Sequence, residues 1–242
     1  MQTQDQQQTS LTPVKQQAKT PQSSPLPPAI AKQDKANISM LQERCRQLCL
    51  STFFPDTDPA RSLGITSSIA GEGKTFLAAI MAKTLANDTT NPVTLLECNW
   101  EHPDIHTYFE IPATPGLAEW LRGECQLEDI RYIVGPNLTV IPAGNGRSSA
   151  VKQLQQMRQH GLRKLFNTPD DFFIVDLPPV VSSAYGKLAA TLVESLVIVV
   201  RSGETTDLMI AETTEQLKNL PVQGVILNQM VSKIPRWLQR LL

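Results

Sequence analysis

The sequence predicts an α/β domain with a doubly wound, mostly parallel sheet. Three observations point there. Short β-rich runs alternate with helical stretches along most of the chain. Several of those runs are continuously apolar, "FFIVD", "SLVIVV" and "QGVILN" among them. One run, "SLGITS", passes through the Gly-containing "SIAGEGKTF" into the helical stretch "LAAIMAKTLA". Unbroken apolar strands are what a parallel sheet covered on both faces requires, since neither face meets water. A strand, a glycine-bearing loop and a helix in that order make the ligand-binding edge of such a sheet.

Taken in order, strands are expected near 62–67, 93–98, 138–142, 172–176, 195–201 and 222–228, and helices near 74–87, 115–122, 149–166, 183–191 and 206–219. Ahead of them, "ISMLQERCRQLCL" sets Ile38, Leu41, Cys45, Leu48 and Cys49 at helical spacing. Residues 1–37 are rich in Gln, Pro, Ser and Thr and lack aromatics, so they read as a disordered tail before a single domain over 38–242.

Composition narrows the function classes. The chain has 242 residues, 41% of them hydrophobic, and a formal charge of -1, which offers no general field for nucleic acid. Cys45, Cys49, Cys98 and Cys125 contain no C-x-x-C pair, so neither a zinc pattern nor a disulfide framework is indicated and a reduced compartment is the simplest setting. The longest apolar run, around "ESLVIVV", has the length of a strand, so a membrane role is expected to pass through a partner or a surface contact.

The loop itself has the parts of a phosphate cradle. Backbone N–H groups must turn inward, glycines must allow the sharp bend, a lysine must reach the phosphates and a hydroxyl must meet magnesium. Gly71, Gly73, Lys74 and Thr75 supply these in order, within a nucleotide-binding run that also includes Glu72 and Phe76. Ser68 stands where the first glycine of such a loop is usual, and it is small enough to be tolerated. The fold is therefore expected to be that of a P-loop NTPase, with ATP and Mg2+ as ligands. Farther on, Asp176 ends the apolar strand "FFIVD" at the same edge, where an aspartate holds magnesium. Glu97 and Asn99 in "LLECN" lie two apart and share a strand face, so both are expected to point at the phosphates.

With these motifs in place, residues 38–230 resemble the bacterial tyrosine kinases of capsule and exopolysaccharide synthesis, of the CpsD and CapB type, within the Min and Par class of P-loop ATPases. The matching motifs are "ITSSIAGEGKT" as Walker A, "LLECNWEHPDIHTYFEI" as Walker A′, "PGLAEWLRGE", "LTVIPAG", "FFIVDLPPV" as Walker B, "VIVVRSGETT" and "VQGVILNQ". The resemblance implies that Lys74 and Thr75 bind phosphate and magnesium, that Asp176 sits in the magnesium shell and that Asn228 lies near the base. Lys74, Glu97 and Asp176 are the expected catalytic residues, with Thr75, Asp176 and Glu97 around the metal. Ile69 occupies the place of the second lysine of the Min and Par branch, which favours the kinase branch.

It also implies a cytoplasmic regulator of polysaccharide synthesis, chain length or export at the inner face of the plasma membrane, activated in trans by a membrane chain-length regulator. The alternatives are a nucleotide-dependent adaptor without kinase activity and a membrane-cycling ATPase of the Min or Par kind.

Three departures from the family pattern bear on turnover. Glu97 and Asn99 replace two aspartates; glutamate keeps the charge with an added methylene, and asparagine cannot act as a base, so nucleotide binding is expected to outlast turnover. Trp100, Glu101 and His102 follow where basic residues are usual. The chain ends "VSKIPRWLQRLL", and its tyrosines, Tyr108, Tyr132 and Tyr185, lie elsewhere, so either phosphorylation falls on other proteins or the kinase step has been lost. Glu43 and Arg46 resemble the start of the family's ring-forming E-x-x-R-x-x-R motif, with Cys49 in the last position; a homo-oligomer through Glu43 and Arg46 is expected, weakened by the missing arginine.

Lesser signals weigh less. Cys98, His102 and His106 are spaced four apart, but Pro103 breaks the helix that would align them on a metal. Trp100 and Trp120 read as packing residues. Lys218, Lys233, Arg236 and Arg240, with Ile234, Trp237, Leu238, Leu241 and Leu242, form a basic amphipathic end suited to weak peripheral contact with anionic lipid, or equally to docking on the domain or on a membrane partner.

Overall fold

The computed structural model describes residues 35–229; most of the predicted tail and the basic C-terminal end lie outside the described residues. The chain order is α1 (Lys35–Phe53), β1 (Ser62–Ser67), α2 (Lys74–Asp88), β2 (Val93–Glu97), α3 (Ile105–Phe109), α4 (Leu117–Leu121), β3 (Tyr132–Gly135), β4 (Leu138–Ile141), α5 (Ala150–His160), α6 (Leu162–Leu165), β5 (Phe172–Asp176), α7 (Gly186–Ala190), β6 (Ser195–Arg201), α8 (Asp207–Leu217) and β7 (Val222–Asn228). Helix α1 begins within the segment read as tail. Among the described residues no helix is long and apolar enough to cross a membrane.

The seven strands form one sheet in the order β3-β4-β2-β5-β1-β6-β7, parallel except for the β3–β4 pair. Strand alternation splits the core into two layers. Phe172 and Ile174 of β5 face α1 and α2, packing with Cys45, Cys49, Phe53, Leu77 and Met81. Phe173 and Val175 of the same strand face the other way, into a cluster with Leu154, Met157, Ala189 and Leu217 from α5, α7 and α8. β1, β2 and β5 are buried along their whole length, which the apolar run of β5 requires, whereas the equally apolar "QGVILN" of β7 is partly exposed because it lies at the sheet edge.

Strand β1 is flanked by β5 and β6, and β2 lies beyond β5, so the chain passes to opposite sides of β1. That reversal opens a crevice at the carboxyl ends of the strands. Two elements depart from expectation. The helix predicted over 149–166 is broken at Gly161, whose φ of +71° takes the backbone out of helical geometry. The short antiparallel β3 and the five-residue α3 were not expected at all.

Candidate functional site

The loop between β1 and α2 is shaped by its two glycines. Gly71 and Gly73 take φ of +84° and +89°, in the left-handed region that L side chains rarely adopt. At Gly73 a Cβ would also lie 2.2 Å from Nδ2 of Asn228. That amide donates to the Glu72 carbonyl at 2.9 Å, so the end of β7 braces the loop. Ser68 is fully buried, and its hydroxyl accepts from Thr213 of α8 at 2.8 Å. The position expected to hold glycine thus ties the loop to a helix instead.

Loop and sheet edge bound a cleft of about 860 Å³. The cleft is lined by Gly71, Gly73, Lys74, Thr75 and Phe76 of the loop and α2, by Glu101, His102, Asp104 and Tyr108 from the segment after β2, and by Asn228. The Phe76 and Tyr108 rings lie 6.3 Å apart. Lys74 is almost fully buried. Asp176, at the end of β5, is fully buried, and its Oδ2 accepts the Thr75 hydroxyl at 2.8 Å. Burial pushes its carboxyl up to about 6, against the opposing pull of the Lys74 charge and the Thr75 hydrogen bond.

Its Oδ1 is buried and has no partner among the described residues. A hydroxyl beside a carboxylate with a spare, desolvated oxygen is a donor set that suits magnesium, directly or through water. Thr75 and Asp176 therefore fit the metal expected at this edge.

Glu97 does not fit that metal. Oε1 accepts the backbone N–H groups of Asp104 at 2.6 Å and Ile105 at 2.9 Å, and Oε2 accepts that of Ala143 at 3.0 Å. Both oxygens of this fully buried carboxylate are spent on the chain itself, and Glu97 does not line the cleft. Burial pushes its carboxyl up to about 7, with the Asp176 charge adding to the rise and the three N–H groups opposing it.

Asn99 is also buried, beyond the end of β2, where its amide donates to the His102 carbonyl at 3.0 Å. The shared strand face expected for Glu97 and Asn99 is lost because the strand stops at Glu97. Glu72, expected in the nucleotide-binding run, turns its carboxylate inward: it accepts the N–H groups of Ile69 at 2.8 Å and Arg201 at 3.3 Å and the Thr205 hydroxyl. Its side chain braces the loop rather than lining the cleft.

The other expectations find their places. Trp100 is buried, with Nε1 donating to the Ala143 carbonyl at 2.8 Å, and Trp120 stacks on Phe166 at 5.1 Å; both are packing residues. Cys98 is buried in the core, where desolvation raises its thiol well above the ordinary range. Glu43 and Arg46 pair with each other at 2.6 Å, and Arg46 also reaches Asp88 at the end of α2 at 2.6 Å, so the pair joins α1 to α2. Cys49 faces the core. Asp104 and Tyr108 line the cleft without having been read as site residues, and Glu101 lines it where the sequence marked only a departure from basic residues. The available signal was Pro103 followed by an acid in a turn just past a strand that enters the site.

No protein-family model matches the chain. Among curated relatives, EpsB of Ralstonia solanacearum, provisionally named a tyrosine-protein kinase, is 29% identical over 193 residues, which is 78% of this chain and 26% of that protein. Tyrosine-protein kinase YwqD of Bacillus subtilis is 26% identical over 194 residues, 78% of this chain and 81% of the relative. The chain thus spans about a quarter of EpsB and most of YwqD. The kinase domain of the Escherichia coli tyrosine kinase ETK superposes with a TM-score of 0.74 at 22% identity, covering 93% of this chain and 86% of that one.

The chimerical protein CapA2B2 gives a TM-score of 0.70 at 23% identity over 84% and 89% of the two chains, and a Borrelia burgdorferi plasmid partition protein gives 0.56 at 17% over 75% and 85%. These structures establish the fold. By sequence the chain is similar to proteins named as bacterial tyrosine-protein kinases, and its fold is the P-loop NTPase fold shared by their kinase domains and the plasmid partition protein.

Proposed function

We propose that the chain binds ATP with Mg2+ in the cleft beside Lys74 and acts as a tyrosine-kinase-like regulator of capsule or exopolysaccharide synthesis, chain length or export. The observation that carries the reading is the join between loop and sheet. The Thr75 hydroxyl and the half-partnered Asp176 carboxylate meet directly beneath a loop opened by Gly71 and Gly73. Loop N–H groups and Lys74 bind the phosphates and hold charge as it develops on the γ-phosphoryl group. Thr75 and Asp176 hold magnesium, which when bound neutralises phosphate charge. Asn228, already lining the cleft, contacts the base.

The polysaccharide context draws on relatives by name, among them the succinoglycan biosynthesis transport protein ExoP of Rhizobium meliloti, 26% identical over 176 residues. In this reading the domain works in the cytoplasm at the inner face of the membrane, with a chain-length regulator as activator in trans. A nucleotide-dependent adaptor is the second reading, favoured by the engagement of Glu97 with three backbone amides and by Asn99. Self-association through Glu43 and Arg46 would have to displace their present pairing with each other and with Asp88.

The two readings part in one experiment. The purified chain and its Lys74→Ala variant are incubated with magnesium ATP and a candidate membrane partner, and ADP and phosphotyrosine are measured. Lys74-dependent phosphotyrosine supports the kinase; tight nucleotide binding with neither product leaves the adaptor.

A further inference from the structure

We propose that Asp104 is the proton acceptor of the phosphoryl-transfer step and that Glu97 positions it. The inference rests on the nucleotide reading of the cleft and adds to it a residue that the sequence motifs do not single out.

Four carboxylates gather at this edge of the sheet, and their hydrogen bonds separate them. Glu97 has both oxygens occupied by the N–H groups of Asp104, Ile105 and Ala143. Glu101 accepts the Ser183 hydroxyl at 2.9 Å. Asp176 is fully buried and bonded to Thr75. Asp104 is exposed and lines the same cleft as Gly71, Lys74 and Thr75. It precedes α3, yet its side chain does not cap that helix, and among the described residues its carboxylate has no hydrogen bond or ion pair.

Glu97 connects to Asp104 through the backbone. An aspartate at position 97 would be one methylene shorter. The glutamate spans from the end of β2 to the Asp104 N–H at 2.6 Å while also reaching Ala143 beyond β4. Glu97 is committed to the backbone of this turn, and a free acid, Asp104, stands seven residues on.

In the step proposed, the oxygen of a water or tyrosine hydroxyl bonds to the γ-phosphorus of ATP. Its proton passes to the Asp104 carboxylate. The bond from that phosphorus to the β–γ bridging oxygen breaks, and ADP leaves with the electron pair.

The test compares the parent chain with Asp104→Asn, Glu97→Asp and Lys74→Ala by magnesium-ATP affinity, ADP release and thermal midpoint without nucleotide. Asn matches the shape of the side chain, which makes no hydrogen bond to lose, and removes the base, so Asp104→Asn is expected to hold affinity and midpoint while release falls roughly 10²- to 10⁴-fold. Glu97→Asp should lower release with affinity unchanged, as a purely structural brace would not. ADP release by Asp104→Asn at the parent rate overturns the proposal. So does a parent chain that binds nucleotide without turning it over, although that result leaves the binding site intact. Nucleotide binding that survives Lys74→Ala instead removes the reading on which the proposal rests.

Discussion

The Thr75 hydroxyl donates to Oδ2 of Asp176 at 2.8 Å, joining the first turn of α2 to the last residue of β5 across 101 positions of sequence. This bond fixes the loop over a carboxylate that folding has stripped of water. The helix supplies the hydroxyl, the sheet supplies the acid, and the loop between β1 and α2 supplies N–H groups.

Asp176 makes stability depend on pH. Its carboxyl is raised from 3.8 to about 6 in the folded chain, so its contribution is fully present below the unfolded value and is lost as pH rises through about 6. Asp176→Asn escapes that loss, and its amide oxygen still accepts from Thr75. Relative to the parent, the variant should gain on the order of 2 to 3 kcal/mol between pH 4 and pH 7. Urea midpoints of both proteins at the two pH values check this, and a constant gap contradicts it.

Glu97→Ala should destabilise the chain by about 3 kcal/mol, because two buried N–H groups and a part-buried one lose their acceptor together. The loss should be local as well as global. Amide hydrogen exchange at Ile105 and Ala143 should accelerate before the core opens. Unchanged protection at both amides would show that Glu97 does not hold this corner.

Gly73→Ala adds a Cβ where φ is +89° and Nδ2 of Asn228 stands 2.2 Å away. The Asn228 amide could move only by giving up its bond to the Glu72 carbonyl. Strain of roughly 1 to 3 kcal/mol in the loop corresponds to about a tenfold or greater loss of nucleotide affinity. Calorimetric titration with ATP analogues measures it; parent-like affinity would mean that the loop does not need this backbone.

How much of this was legible in the sequence differs by residue. "FFIVD" and "SLVIVV" announced central strands because a doubly covered sheet leaves no solvent face to mark with polar residues. β3 hid because "YIVG" is short and at the sheet edge, with Ile133 78% exposed. α3 hid behind Pro103 and spans only five residues. The loop was legible because its chemistry is local: Gly71, Gly73, Lys74 and Thr75 carry their reasons in their own order.

The work of Glu97 was not legible in the same way. Periodicity tells which face a strand residue occupies, but the amide of Ala143 meets Glu97 only after the chain has travelled 46 residues and returned as β4. Glu72 misled for a similar reason, since its partners Arg201 and Thr205 come from the end of β6 and the turn after it. Asp104 was overlooked because nothing in a turn sequence says which acid will be left without a partner.

The claim on which the rest depends is that the cleft beside Lys74 holds ATP with magnesium, and equilibrium titration of the parent chain and Lys74→Ala with a fluorescent ATP analogue tests it most directly. Saturable, magnesium-dependent binding by the parent that Lys74→Ala weakens at least about a hundredfold, roughly 3 kcal/mol, is the result predicted. Equal affinity in the two proteins, or no binding by the parent, would contradict it.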